Sequence, residues 1–489
     1  MNKFNNRILV LVLLLLFSML LLEGTFAQSD DLVLEWEQHW DTYGVGGTCC
    51  HGTSNFFVGD IDDDGVEELI TGGSSYAQEN GTIISFEAPL RIWNWNGKNL
   101  TCECSQNWVG SIQSLYAGDI DNDGLTEIIT GGIFADSSGL GNQINILTYD
   151  GTSTVKKGSY DGVSANSIFV AQMIKDENPL IITSGRTDQE NRSFAQLSVF
   201  QWSGNELLLL DSQKWCASKE AYAYSVFADD LNNDGELEIV TGGYDNDLTN
   251  SSGQLRIWSW AGHQLDLVEN TEWRLVDGVY GETVSGSPMG NTMINNVKVD
   301  DVDSDGISEI ITGGWSYDGE KTNAQLKIFN WNGQELILEK SFEWITNDIN
   351  EIKAISLSDV DRDGEIEIVT SGITAVYGSF KNPESIPDHA QLRIFSWKDN
   401  NLELEQSKDW TIGEGVVVWS LATDDIDKDG TVEIITVGCM GISGLCDPDL
   451  RIWSIVPPEN SVVAIQILIV AVIVIVGVLG IAVFLVKRK

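Results

Sequence analysis

The chain has 489 residues, with 28 Lys and Arg against 73 Asp and Glu, and a formal net charge of −45. So acidic a surface excludes nucleic acid and anionic lipid as charge-driven partners. The seven cysteines form no C-x-x-C pair, which excludes that metal or redox motif, and their odd number leaves one thiol free or bonded to another chain.

Residues 1–27 begin with Lys3 and Arg7, continue in an apolar run from Ile8 to Leu22, and end in small residues including Thr25 and Ala27. This pattern predicts a secretory signal cleaved after Ala27, with an uncleaved membrane anchor as the alternative. Residues 30–456 then carry one sixteen-residue phrase six times. It reads VGDIDDDGVEELITGG from Val58 and AGDIDNDGLTEIITGG from Ala117, and returns from Ala228, Val299, Leu357 and Thr423. A seventh, eroded copy, VAQMIKDENPLIITSG, starts at Val170. The phrase marks a longer unit, and repeats of roughly 40–60 residues signal propellers or solenoids, because one unit cannot bury its apolar face alone.

In the first unit, NFFVGD is a short strand entering an acidic loop, and EELITGG is a second strand stopped by glycines. LRIWNWNG is a third, closed by the hairpin signal Asn96-Gly97, and NLTCECSQNW a fourth ending at Trp108. The third strand occurs seven times. The fourth recurs after most units, is weak after Gly151, and is missing after the last third strand, Leu450 to Ile455. A matching segment stands at the front: LVLEWEQHW, Leu32 to Trp40, aligns without a gap on LELEQSKDW, Leu402 to Trp410. An N-terminal strand completing the last unit closes a ring and removes two exposed edges. The expected fold is all-β: a seven-bladed β-propeller of four-stranded blades. The strand-ending Trp40, Trp108, Trp215, Trp273, Trp344 and Trp410 recur at one repeat position and are expected to pack.

Each intact loop spells D-x-[DN]-x-D-G-x-x-E. Alternate positions of a short loop can all aim inward, the backbone carbonyl at position seven adds another oxygen, and the glycine permits the tight turn. Six to eight hard oxygens suit Ca²⁺. The candidate ligands are Asp60, Asp62, Asp64, Val66 and Glu68; Asp119, Asp121, Asp123, Leu125 and Glu127; and Asp230, Asn232, Asp234, Glu236 and Glu238. They continue as Asp301, Asp303, Asp305, Ile307 and Glu309; Asp359, Asp361, Asp363, Glu365 and Glu367; and Asp425, Asp427, Asp429, Thr431 and Glu433. In the eroded loop, Gln172 to Leu180, carboxylates are replaced by Gln172, Ile174 and Leu180, so it is expected to be metal-free. Up to six calcium ions are expected, as staples for the hairpins or, alternatively, as a switch.

Near the other end, residues 457–461 are a short linker and 462–486 an apolar run with Gln466 as its one polar member. That exceeds the roughly 20 residues that cross a bilayer. Residues 487–489, Lys-Arg-Lys, then mark the cytoplasmic side. The expectation is a single-pass membrane protein with its body outside the cell.

These repeats resemble FG-GAP repeats, the blades of the integrin α-subunit propeller and its prokaryotic relatives. The likeness covers Leu32 to Ile455 and rests on the loop motif. It implies a seven-bladed ring with calcium between first and second strands and ligands met on the opposite face. Six metal loops exceed the usual number there, no leg domains follow, and the tail has three residues. Integrin-like signalling is therefore not implied.

The loops beyond the TGG glycines are long and varied, and a rigid scaffold carrying such loops suits recognition of a protein or glycan. Tyr76, Phe134, Tyr244, Trp315, Tyr317 and Tyr377 are the candidate ligand face, with local packing under their own loops as the alternative for each. Sequons at Asn80, Asn99, Asn191 and Asn250 are candidate glycosylation sites. Cys439 and Cys446 flank a short loop and could bridge it. Cys102 and Cys104, two apart on one strand, are expected on one face and poorly placed to pair. The four histidines show no metal spacing, and H-E-x-x-H, G-x-S-x-G and phosphate-loop motifs are lacking. The function expected is a calcium-binding surface recognition or adhesion module. A structural envelope scaffold is the alternative, and a carbohydrate-active enzyme a weaker one.

Overall fold

The computed structural model describes residues 31–39, 48–49, 56–79, 82–137, 139–175, 177–217, 219–246, 251–274, 281–282, 288–289, 292–318, 320–376, 388–398, 401–412, 415–440 and 447–456. The signal segment, the linker and apolar run, and Tyr377, Asn80, Asn250 and Cys446 lie outside them, as does the side chain of Tyr76. The chain divides into Leu34–Ser454 and a second unit of Met1–Val33 with Ile455–Lys489. Two strands, Asp31–His39 and Asp447–Val456, cross the boundary of the first unit. No helix among the described residues is long and apolar enough to cross a membrane.

The fold is all-β. Each phrase of the sequence becomes a four-stranded antiparallel unit. Repeat 4 shows the pattern: Glu220–Asp229, Glu238–Asn246, Ser251–Ala261 and Gln264–Trp273 pair in succession. Repeat 5 repeats it with Thr292–Asp300, Glu309–Tyr317, Thr322–Trp331 and Leu336–Trp344. Repeat 6 follows with Ile349–Ser358, Glu367–Ala375, His389–Lys398 and Asn401–Trp410. In repeats 1 and 2 one long strand, Leu100–Gly118, is the fourth strand of the first unit and the first strand of the next. The fourth strand that the sequence shows weakly after Gly151 is present as Thr154–Asp161. In the last unit the sheet order places Asp31–His39 beside Asp447–Val456, followed by Glu433–Met440 and Val416–Asp424. The N-terminal strand therefore supplies the missing member. Ser454 Oγ donates to Glu35 Oε1 (2.5 Å), and Arg451 pairs with Glu37 (2.9 Å) across that junction.

The core is a succession of apolar layers between neighbouring units. The second strands read Leu/Ile-Ile-Thr or Ile-Val-Thr, so both of their faces carry branched side chains and both are buried. Ile70 and Ile92 pack on Ile112 and Leu115 of repeat 2, and Ile129 and Ile146 on Ile168 and Ile181 of repeat 3. Ile182 and Leu197 then meet Val226 and Ile239, Val240 and Leu255 meet Val297 and Ile310, and Ile311 and Leu326 meet Ile355 and Ile368. Ile349 and Ile373 of repeat 6 touch Val417 of repeat 7. The last layer joins the ends of the series: Leu69 and Trp95 of repeat 1 pack with Ile426, Ile435 and Ile452 of repeat 7.

Tryptophans tie the units at their outer ends. The indole N–H of Trp273 donates to Gln325 Oε1 of the next unit (2.6 Å), and that of Trp344 to Gln391 (3.0 Å). Trp215 makes the same bond to Gln254, and Trp410 donates to Asp449 (3.3 Å). For these four the expected packing role thus includes one specific hydrogen bond each, directed to the following repeat; Trp108 meets Phe134 edge-on (6.3 Å), and Trp40 lies outside the described residues.

Candidate metal centre

The acidic loops join first to second strands. In all six intact loops the residue at position four is left-handed, with φ between 56° and 62°, and the glycine at position six has φ between 86° and 98°. The glycine is required there, since a side chain at that φ is strained. This turn folds each loop back so that its acids accept its own amides. Asp60 accepts from the N–H of Asp64 (3.2 Å) and Gly65 (2.9 Å), and Asp64 from Val66 (2.8 Å). Asp301 accepts from Asp305 (3.0 Å) and Gly306 (2.9 Å), and Asp305 from Ile307 (2.9 Å). The glutamate at position nine caps the loop from the second strand. Glu68 accepts from Ile61 N–H (3.0 Å), Glu238 from Leu231 (3.1 Å), Glu367 from Val360 (2.9 Å) and Glu433 from Ile426 (2.9 Å).

Carboxylate oxygens at positions one, three and nine converge to within 4.8 Å of one another in five loops: Asp60, Asp62, Glu68; Asp119, Asp121, Glu127; Asp301, Asp303, Glu309; Asp359, Asp361, Glu367; and Asp425, Asp427, Glu433. The sixth intact loop has Asn232 at position three, with its Nδ2 donating to Glu238 Oε1 (2.9 Å). Turning that amide over would present its oxygen instead.

These acids are held together against their own repulsion. Burial pushes Glu68, Glu127 and Glu238 up to about 7, and Glu309, Glu367 and Glu433 to about 8, with neighbouring carboxylates adding to the rise. Burial likewise raises Asp62, Asp121, Asp303 and Asp427. Several oxygens are also buried without a hydrogen-bond donor: Asp62 Oδ1, Asp121 Oδ1, Asp359 Oδ1 and Glu367 Oε1. A buried, unpaired acceptor costs about 1–3 kcal/mol. Hard oxygens, mutual repulsion and unsatisfied lone pairs together fit a bound hard cation, so these groups could each hold a metal ion.

Repeat 3 is built differently. Gln172 Nε2 donates to the carbonyl oxygens of Ile174 (2.7 Å) and Glu177, Met173 and Leu180 are buried, and Ile174 packs on the core. An amide and apolar side chains tie this loop where the others place carboxylates.

Four of the loops also reach the next one. Arg362 Nη2 lies 2.9 Å from Asp425 Oδ2 of repeat 7, and Lys428 Nζ donates to Gly65 O of repeat 1 (2.7 Å) and pairs with Glu67 (3.2 Å). Asn233 donates to Gly306 O, and Asn122 to Glu177 O (3.4 Å). All four reaching residues are the left-handed ones at position four. A cavity of ≈ 470 Å³ lined by Val66, Trp95, Asp427 and Lys428 lies where the last loop meets the first unit.

At the opposite ends of the strands, Phe134, Tyr244 and Trp315 are buried, at 5%, 5% and 4% exposure. Packing, not display, is what the structure gives for these three. Tyr244 and Trp315 form one cluster with Met293, against which Tyr222, Tyr224 and Tyr317 pack half-buried. Tyr244 donates to Glu220 (2.9 Å), which also pairs with Arg186 (3.0 Å). Asn99 and Asn191 are exposed in turns. Cys102 is exposed but Cys104 buried, so they do not share a face. The extra residue between them, Glu103, breaks the strand's alternation.

No family model matches the chain, and no curated protein matches it. Among solved structures it is similar to Sqt1 from Chaetomium thermophilum, with a TM-score of 0.45 and 10% identity over 87% of this chain and 100% of that one. It is also similar to the V. cholerae biofilm matrix protein Bap1, with a TM-score of 0.46 and 10% identity over 88% of this chain and 92% of that one. Likenesses of this size say nothing about function.

Proposed function

We propose that this chain is a seven-bladed β-propeller of the FG-GAP, integrin-α-like kind, stapled by calcium in six loops. In this reading a C-terminal helix anchors it outside the cell, where it serves as a recognition or adhesion module for a protein or glycan. The observation that carries the calcium reading is the convergence of loop carboxylates around buried oxygens that lack donors. Ring closure is supported by the layer joining repeat 7 to repeat 1 and by Lys428 reaching Gly65. Calcium sites of extracellular modules have dissociation constants of about 10⁻⁴ to 10⁻³ M, so millimolar calcium keeps such loops loaded.

Recognition belongs to the face opposite the loops. With Tyr244 and Trp315 buried, its described contact groups are the half-buried Tyr222, Tyr224 and Tyr317 and the charged Arg186, Asp188 and Glu220. The test is a screen of the full chain in nanodiscs, with calcium or with chelator, against glycans and envelope proteins. Saturable binding reduced by Arg186→Ala supports recognition. The second reading, an envelope scaffold, is favoured by exposed Leu209, Leu267, Leu338 and Leu404, which recur at one position of successive outer strands. Calcium-dependent stability without any saturable ligand would select it.

A further inference from the structure

The first strands carry a regularity outside the acidic loops. They touch one another in chain order, and the last, Val416–Asp424, touches the first, Phe56–Gly59, so they encircle one axis. In each of the five whose register is defined at this point, one extra residue is inserted opposite the second strand. The extra residues are Gln113, Tyr224, Asn295, Lys353 and Trp419. Asn166 holds the equivalent place in repeat 3, beside Ser167 opposite Ser184. Each stands six residues before the first position of its loop, about 20 Å along the strand from the metal centre. A glycine two after the second-strand threonine makes room for the bulge. A Cβ at Gly132, Gly243, Gly314, Gly372 or Gly438 would stand between 1.8 and 2.1 Å from the carbonyl oxygen two residues before the inserted one. Repeat 3 lacks the acidic loop but has this glycine as Gly185, where a Cβ would meet Ser164 Oγ at 2.5 Å. The bulge is therefore a feature separate from the metal loop.

A bulge re-aims a side chain out of the pleat. The residues on either side of Gln113, Tyr224, Lys353 and Trp419 are no more than 5% exposed, whereas these four are half-buried. On strands that encircle an axis, that remaining exposure is toward the axis. Bonds between neighbouring first strands hold the inserted residues at one level. Ser114 Oγ donates to Ala165 O (2.6 Å), Val226 N–H to Ser167 Oγ (3.3 Å) and Val297 N–H to Ser225 Oγ (3.1 Å), each serine following a bulge position. Asn295 Nδ2 donates to Ile352 O (2.6 Å), and Lys353 Nζ stands 4.9 Å from the Trp419 ring centre. Tyr224 stacks on Tyr222 at 4.1 Å. Lys353 pairs with Glu351, so their charges cancel. Among the described residues the Gln113 amide has no hydrogen-bond partner. Aromatic rings, an amide free to donate and accept, and a neutral ion pair suit a ligand with hydroxyls and a flat apolar C–H face. We infer that the bulge residues form an axial binding site for a sugar residue of a glycan. Trp419 and Tyr224 meet its apolar face, and Gln113 and the Glu351–Lys353 pair meet its hydroxyls. This names a ligand class for the recognition reading and rests on that reading.

The experiment is saturation-transfer NMR, then calorimetry, on the full-length chain in nanodiscs with calcium. The probes are methyl glycosides of glucose, galactose, mannose and N-acetylglucosamine. At least one is expected to bind saturably. Trp419→Ala should abolish that binding. Gln113→Ala, which breaks no side-chain bond of the fold, should weaken it about fivefold, the worth of one hydrogen bond, and decides the matter if the first variant does not fold. Glycoside binding unchanged in the folded variants would overturn the axial site. So would binding reduced by Arg186→Ala but not by Gln113→Ala, which would put recognition at the cluster around Glu220. Saturable binding of an envelope protein but of no glycoside would overturn the sugar and leave recognition standing. No saturable ligand of any kind would overturn both.

Discussion

Replacing Glu367 with glutamine should change sign in its effect depending on calcium. In the metal-free chain Glu367 is held at about 8 against an ordinary 4.5, chiefly by burial, with Asp361, Glu405 and Asp363 adding repulsion. A folded value above the unfolded one means that the native state keeps a proton which the unfolded chain releases. The stability this gives is complete below pH 4.5 and is lost as the pH rises toward 8. A tenfold change in proton affinity is worth about 1.4 kcal/mol, so a rise from 4.5 to about 8 makes the loss from this group on the order of 5 kcal/mol. Glutamine has no proton to lose, and its Oε1 still accepts from Val360 N–H, the bond Glu367 makes at 2.9 Å. In chelator at pH 8 the variant should therefore match or exceed wild type. In millimolar calcium it should be the less stable, because one charged ligand is gone. Urea denaturation of both proteins at pH 5 and pH 8, with calcium and with chelator, reads the four values. Equal destabilisation under all conditions would refute the reasoning, because the glutamate would then be an ordinary packing group.

Other outcomes follow from the same geometry. Gly97 has φ 76°, and a Cβ there would stand 2.6 Å from Asp427 Oδ2; Gly97→Ala should cost about 1–2 kcal/mol and weaken one calcium site in a titration. Trp344→Phe removes the donor to buried Gln391, so thermal unfolding should show a loss of about 1–2 kcal/mol, whereas the phenylalanine ring keeps most of the packing. Deleting Asp31–His39 takes Trp36 from its edge contact with Trp95 (5.7 Å) and leaves Arg451 without Glu37. A loss of at least about 3 kcal/mol is expected, and an unchanged melting temperature would contradict closure by the N-terminal strand.

What the sequence shows and what it hides divide along the distance between interacting residues. The acidic loop is local: nine consecutive residues place the acids, the left-handed turn and the glycine, so six copies were legible directly. The missing fourth strand was legible by counting, because LVLEWEQHW matches LELEQSKDW. The fourth-strand bulge was not, since one inserted residue leaves no mark on an alternating pattern. The same bulge reverses the expectation for Cys102 and Cys104. Aromatic side chains at loop bases gave no sign of depth. Trp315 and Tyr244 occupy equivalent positions, and it is their union with Met293, from the next first strand, that buries them. Contacts between loops, such as Lys428 with Glu67, join residues far apart in sequence and become visible only in the fold.

The most direct test is to count the calcium. The full-length chain, dialysed against millimolar CaCl₂ and passed through a desalting column equilibrated at the same free calcium, would be assayed for metal by mass spectrometry against protein concentration. Six ions per chain above the buffer level are expected, with none lost when the eroded loop alone is mutated. One ion or none would contradict this, and the acidic loops would then be turns held by their own backbone hydrogen bonds.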